Sequence, residues 1–481
     1  MTFYFYDLET SGVNPREARV MQFAGQRTDM DLRPVGEPHN ILVKMTEDVL
    51  PDPDAVLVTG ITPQKTIADG VTEADFLRTF QREIATKDTV FVGFNTVRFD
   101  DEFMRYSHYR NFYDPYEWQW KDGRSRWDIL DVARMTRALR PEGIQWPYDG
   151  KGNPSNRLEL LTSVNKLSHD NAHDALGDVR ATIAVADLIK TRQPKLFDFL
   201  LRMRDKRAAK NLVHNEKMFV YSSGKYSSEQ EKTTIAAKIA DTPEGAALVY
   251  DLSVDPEPFL KMDATQIIEA WQRRHDDPEP KLPVKALKYN RCPAIAPLGV
   301  LDEKSQNRLG LDPKRALAFL RRIEKTDFAH KCLEAAKRMN QAREARQSRL
   351  LDDDNDVDAR LYEGFFSDTD KTAMRRVRAA SVDQLREFTK EDFKDTRLQA
   401  LLPLYKARNF SGALADSERR AWEEFRHQKL MSGGMQSRAA RFMKRLQELD
   451  GTTTDPEKRY LLEEMQLYAE SILPEPDGSS S

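Results

Sequence analysis

The chain opens on Phe3-Tyr4-Phe5-Tyr6 and runs directly into Asp7-Leu8-Glu9-Thr10. An unbroken run of aromatic, β-prone residues predicts a buried strand. Residues i and i+2 of a strand share a face. Asp7 and Glu9 are therefore expected to project together at the strand end, with Leu8 turned into the core. Two carboxylates held side by side repel one another unless a cation lies between them. Hard oxygen ligands of this kind suit Mg²⁺ or Mn²⁺.

The rest of the first ~190 residues reads as mixed α/β. Residues 20–25 and 40–43 are expected sheet neighbours of the first strand, and 89–95 a further core strand. Helical patterns cover 73–85, 126–138 and 173–191. A basic run at 202–207 marks the exit from this unit. Between 211 and 300 short β-like runs at 218–221, 233–239, 246–252 and 284–289 alternate with prolines, around a helix near 265–274. This texture predicts a small irregular β domain. Residues 314–349 are helical in pattern and carry 11 Lys and Arg against 4 Asp and Glu. Five aspartates then fall within 352–358 and read as a solvated linker. That run lacks the Gly and terminal Glu of a calcium loop. From 360 onward the sequence is almost entirely helix-forming, up to a Ser-rich tail expected to be disordered. The expected division is 1–193, 194–350, a linker at 351–359, 360–473, and a tail at 474–481.

With 481 residues, the usual ~150 per domain gives a prior of about three domains. Hydrophobic residues make up 40% and charged residues 32%, enough for several cores beneath a highly charged surface. Lys and Arg number 75 against 78 Asp and Glu, so net charge does not decide for or against a nucleic-acid partner. Two cysteines, Cys292 and Cys332, exclude a disulfide framework and a Cys-rich zinc site, and fit a reducing cytoplasm. No apolar run approaches the ~18 residues of a membrane span. No secretory signal precedes the first strand. A cytoplasmic, multidomain monomer is expected.

Two further segments join the first carboxylate pair. Asn95-Thr96-Val97-Arg98-Phe99-Asp100 follows the 89–95 strand, and His173-Asp174-Ala175-Leu176-Gly177-Asp178 opens an apolar-striped helix. In this order D-x-E-T, N-x₃-F-D and H-x₄-D resemble the motifs of the DEDD superfamily of 3′→5′ exonucleases, in its histidine-bearing branch. Thr59-Gly60-Ile61-Thr62 is similar as well. His169 and Asp174 also have the H-x₄-D spacing, but Ala175, Ala181 and Thr182 fit the family pattern only in the register of His173 and Asp178. Arg110-Asn111-Phe112-Tyr113-Asp114-Pro115-Tyr116, Gly364-Phe365-Phe366-Ser367-Asp368 and Ala407-Arg408-Asn409-Phe410 narrow the resemblance to bacterial exonuclease I, over nearly the whole chain.

That resemblance implies an RNase-H-like exonuclease domain, an SH3-like β domain, and an all-helical C-terminal domain closing a ring-like cleft. It implies 3′→5′ degradation of single-stranded DNA to nucleoside 5′-monophosphates, with roles in DNA repair and recombination. Asp7, Glu9, Asp100 and Asp178 would hold two Mg²⁺ ions, which Mn²⁺ could replace, for two-metal hydrolysis. His173 would accept the proton of the attacking water. Glu9, Asn156 and Arg157 would lie near the substrate nucleotide, Arg157 holding a phosphate or standing as plain surface charge. The motifs do not separate DNA from RNA, so an exoribonuclease and a non-catalytic single-strand-binding scaffold stay open as alternatives. The resemblance also implies contact with the acidic C-terminal tail of single-strand-binding protein. Arg140 and the basic 314–349 stretch are candidate acceptors, with ordinary solvated charge the alternative.

Residues 105–134 interleave aromatics and cations, the composition a single strand needs for base stacking and phosphate neutralisation. Arg105, Tyr116, Trp120 and Arg134 are expected on the strand path, with Tyr116 and Trp120 as the stacking pair. Phe112 and Trp127 are expected in the core.

Overall fold

A computed structural model describes residues 1–167, 174–274, 276–353 and 356–473. The aromatic run becomes β1 (Thr2–Thr10), the middle strand of a five-stranded sheet. β2 (Val20–Thr28) and β3 (His39–Leu42) continue it antiparallel on one side. β4 (Thr89–Gly93) and β5 (Ser125–Asp128) run parallel on the other, giving the order β3-β2-β1-β4-β5. The alternation of β1 divides its side chains between two layers. Phe3 and Phe5 join Trp127, Val179 and Ile189 in one core, whereas Tyr4 and Tyr6 join Phe76, Phe80 and Trp118 in another. The helices Ala175–Arg192 and Glu73–Thr79 cover these two faces, so β1 is buried on both sides.

The helical pattern expected over 126–138 is divided. Residues 126–128 complete β5, and the helix runs Ile129–Leu139. Asp128 causes the break: its carboxylate accepts the Leu130 amide at 3.0 Å and caps the helix.

The second sheet is an antiparallel meander with a returning edge. β6 (Phe219–Ser222), β7 (Thr233–Asp241), β8 (Ala247–Asp251), β9 (Val284–Leu287) and β10 (Ala294–Pro297) lie in the order β10-β6-β7-β8-β9. The strand pattern did not predict β10, whose four residues follow Pro293 and end on Pro297, at the edge position where a strand tolerates proline. The helices Ala264–Gln272 and Phe328–Asp353 pack together beside this sheet. Ile129–Leu139 also packs against β6, β7 and β10, in the same core as those two helices, and joins the domain to the exonuclease unit.

The C-terminal helices fold back on the first domain. Leu398, Leu401 and Tyr405 of helix Thr396–Asn409 share a core with Tyr106, Tyr109 and Phe112. Leu462, Met465 and Ala469 of helix Pro456–Ile472 bury Val56. Within the acidic run 352–358, expected as a solvated linker, Asp356 and Asp358 depart from that expectation, while Asp354 and Asn355 lie outside the described residues. Asp356 and Asp358 are buried and paired with Arg19, Arg408, Lys429 and Arg438. A local charge count misreads them because their counter-ions arrive from distant parts of the chain.

Candidate active site

β1 extends beyond its parallel partner. The β1–β4 pairing ends at Phe5 opposite Val92, so Asp7–Thr10 is free of β4. The chain then reverses tightly: Asn95 has φ 73°, residues Thr96–Arg98 form a 3₁₀ turn, and helix Asp100–Arg110 begins. Asp128 fixes this reversal by accepting the amides of Asn95 at 3.0 Å and Val97 at 3.2 Å. Sequence reasoning missed that role. The signal was an Asp immediately before an apolar helical run.

The turn delivers Asp100 to the open end of β1. Its Oδ1 accepts the Leu8 amide, between Asp7 and Glu9, at 3.1 Å. The neighbouring Asp101 has a different fate: it is paired to the Arg126 guanidinium and accepts the Tyr6 hydroxyl at 2.6 Å. Asp101 is thus neutralised inside the protein. Burial raises Asp100 to about 8, and Asp101 adds to that rise against the hydrogen bonds from the backbone.

Asp178 enters from the first turn of helix Ala175–Arg192, where the helix dipole favours an anion. Asp7, Glu9 and Asp178 bring carboxylate oxygens within 4.8 Å of one another. Burial and then Asp100, Glu9 and Asp178 hold the Asp7 carboxyl well above the usual range. Burial and then Asp178, Asp100 and Asp174 push Glu9 up to about 8. Mutual repulsion on this scale is what a divalent cation relieves. The donor set is oxygen only among the described residues and fits a hard cation of the Mg²⁺ or Mn²⁺ type. His169 and His173 lie outside the described residues.

The remaining candidates are placed less uniformly. Arg105 is buried, donating to Glu102 at 2.6 Å and Gln119 at 3.0 Å, with its guanidinium 5.8 Å from the Tyr116 ring centre. The Tyr116 ring lies 6.0 Å from Phe365, an 85% exposed side chain of the C-terminal domain. Trp120 is 63% exposed. Arg134 pairs with Asp131 at 2.5 Å and lies against Gly224 of the β domain. Arg157 is exposed and paired with Glu159, whereas the Asn156 Oδ1 is buried without a hydrogen-bond partner. Phe112 and Trp127 are buried in the core.

Three family models match successive parts of the chain: Exonuclease at residues 4–186, Exonuclease I SH3-like domain at 204–337, and Exonuclease I C-terminal domain at 355–472. Exodeoxyribonuclease I of Haemophilus influenzae is 38% identical over 481 residues, covering 98% of this chain and 99% of its own. A solved structure of Escherichia coli exonuclease I in complex with a dA16 oligonucleotide superposes with a TM-score of 0.90 at 38% identity, over 98% of this chain and 100% of that one. One of SSB/exonuclease I in complex with the inhibitor CFAM gives 0.86 at 38% identity, over 98% and 99%. A nuclease domain with clustered carboxylates, an SH3-like domain and a helical domain follow one another in the same order and over the same length as in these relatives, and the chain belongs to the exodeoxyribonuclease I family.

Proposed function

We propose that this chain degrades single-stranded DNA from its 3′ end, releasing nucleoside 5′-monophosphates, with Mg²⁺ as its ion and Mn²⁺ able to replace it. The observation that carries the reading is the triad of Asp7, Glu9 and Asp178 within 4.8 Å, with Asp100 bonded to the backbone between the first two. Asp7, Glu9, Asp100 and Asp178 hold two divalent ions. Such ions supply a nucleophile at neutral pH and neutralise charge on the phosphate. The burial that raises Asp7, Glu9 and Asp100 also excludes water, which strengthens every charge interaction with the phosphate. His173 accepts the proton of the attacking water on its ring nitrogen. Arg157 holds a phosphate oxygen of the terminal nucleotide, and Asn156 lies beside that nucleotide. Tyr116 and Trp120 stack on bases further up the strand, with Arg105 against the Tyr116 ring and Arg134 elsewhere on the strand path.

The relatives support DNA as the substrate and single-strand-binding protein as a partner. We assign the acidic tail of that protein to Arg140, 34% exposed, and to the basic helices after residue 313. No helix among the described residues is long and apolar enough to cross a membrane. A cytoplasmic monomer in DNA repair and recombination fits these features, with domains divided near residues 193 and 350–360.

A labelled-end assay tests the reading. Single-stranded DNA with Mg²⁺ should lose mononucleotides from its 3′ end, while duplex DNA, RNA of equal length and metal-free reactions should not. RNA degraded as fast as DNA, or no release at all, would overturn it.

A further inference from the structure

The turn that delivers Asp100 is held from both sides of a domain boundary. From within the exonuclease domain, Asp128 takes the amides of Asn95 and Val97, and the Leu8 amide donates to Asp100. The helix that Asp100 opens has Phe99 at its N-terminus and no side-chain cap. It lacks the local device that usually fixes where a helix starts.

The β domain supplies contacts at that point. Between β9 and β10 the chain makes a 3₁₀ turn at Tyr289–Arg291 and reverses through Cys292, at φ 47°. The Arg291 guanidinium reaches across the domain boundary and spans the Asp100 turn. Its Nη1 donates to the Val97 carbonyl at 3.3 Å, and its Nη2 to the Glu102 carboxylate at 3.1 Å. Val97 lies three residues before Asp100 and Glu102 two after it. One planar, rigid group therefore ties together the two flanks of this carboxylate. Val97 is held at both ends, its amide by Asp128 and its carbonyl by Arg291.

The same turn of the β domain grips the neighbour of Asp100. Arg126, the ion-pair partner of Asp101, donates through Nη2 to the Asn290 carbonyl at 2.7 Å. The Cys292 thiol donates to the Arg126 carbonyl at 3.1 Å. Asp101 and Arg126 are buried, whereas the Arg291 and Glu102 side chains are 38% and 17% exposed. A pair that water reaches adds little to stability, so the consequence of the Arg291 contact falls on geometry.

We infer that Arg291 is a positioning residue for Asp100, through which the β domain completes the ion site of the exonuclease domain. The inference rests on the reading of Asp100 as an ion ligand. Asp100 is not among the three carboxylates that lie within 4.8 Å of one another, so its share of an ion depends on where the turn sets it. Losing a partner that orients a ligand in this way costs ~10–100-fold in ion affinity or activity.

The test is Mn²⁺ binding by the full chain without DNA, read by electron paramagnetic resonance, for the wild type, Arg291→Met, Arg291→Lys and Asp100→Ala. Arg291→Met should bind Mn²⁺ about tenfold more weakly, the lower end of the range for such partners. Arg291→Lys keeps the charge but replaces the fork by a single ammonium, so its affinity should fall between those of the wild type and Arg291→Met. It also keeps the test decisive if the methionine variant fails to fold. In EDTA, deuterium uptake by Arg291→Met should rise over residues 95–102 and match the wild type over β1, which separates a loosened turn from general destabilisation. Hydrolysis of oligo(dT) by Arg291→Met should need correspondingly more Mg²⁺ for its half-maximal rate. Wild-type Mn²⁺ affinity and wild-type exchange over 95–102 in Arg291→Met, with Asp100→Ala binding Mn²⁺ weakly, would overturn the positioning role alone. Mn²⁺ bound as tightly by Asp100→Ala as by the wild type would overturn the ligand reading on which it rests.

Discussion

The Arg19 guanidinium, in the exonuclease domain, donates to Asp358, in the helical domain, at 2.6 Å and in a buried setting. Asp358 also accepts from Arg408 at 2.7 Å and Lys429 at 3.2 Å, and both cations reach Asp48 at 2.6 and 2.9 Å. Burial alone would raise Asp48 and Asp358. Arg408, Lys429 and Arg19 instead hold both well below the usual carboxylate range. The cluster therefore fixes the helical domain against the first domain. Asp358→Asn should cost about 3–5 kcal/mol, the range for breaking a buried pair and stranding a charge. Chemical denaturation checks this. A loss under about 1 kcal/mol would mean the cations find water instead.

The contrast between Asp358 and the carboxylate site shows what the sequence could reveal. Asp7 and Glu9 were legible because period-2 geometry places them on one face whatever surrounds the strand. Asp100 and Asp178 were legible through the motif resemblance, since the spacing alone could not choose Asp100 over Asp101 or Asp178 over Asp174. What separates Asp100 from Asp101 is the partner Arg126, brought in by β5. Asp358 was misread for the same reason: its partners Arg19 and Arg408 are set by tertiary packing. Arg105 and Arg134 look alike in sequence to open phosphate-binding arginines, and only the fold shows their ion pairs with Glu102 and Asp131.

Removing one acid of the triad should abolish hydrolysis without unfolding the protein. In Asp7→Ala or Asp178→Ala, repulsion within the cluster falls, so the ion-free melting temperature should hold or rise while the increment on adding Mg²⁺ shrinks. Release of mononucleotides at ordinary Mg²⁺ and thermal melting are the paired measurements. Near-normal turnover by either variant would exclude these residues as ion ligands.

Metal response should depend on pH with a definite sign. Glu9 and Asp100, at about 8 in the folded ion-free protein, lie far above their unfolded values. Their neutral forms are the ones the fold favours, so stability present below the unfolded value is lost as pH rises toward 8. Bound cations compete with those protons. In EDTA the melting temperature should therefore fall between pH 5.5 and 9, and the increment from Mg²⁺ should grow over the same interval. An increment independent of pH would show that these carboxyls are already ionised without metal.

His173→Ala should lower turnover by ~10²–10⁴-fold, the range for losing a positioned base. Metal affinity should change little, because the proposed ion ligands are the four carboxylates. The deficit should narrow at high pH, where hydroxide needs no base. His169→Ala is the register control, and a large loss there with little in His173→Ala would reverse the assignment.

Strand selectivity should reside in the half-buried Tyr116 and the exposed Trp120. Trp120 presents most of its surface, and Tyr116 stands between the Arg105 guanidinium and Phe365 across the domain boundary. Unstacked bases gain ~1–3 kcal/mol each on such faces, and a duplex cannot offer them. Replacing Tyr116 and Trp120 together by alanine should weaken binding of a long single strand by about 2–6 kcal/mol. The loss should appear in KM for that strand rather than in kcat, because neither ring belongs to the carboxylate cluster. In the otherwise wild-type chain Phe365→Ala should also weaken binding, since it removes the ring packed against Tyr116. Equal affinity of the double variant and the wild-type chain for a long single strand would place the stacking surface elsewhere on the molecule.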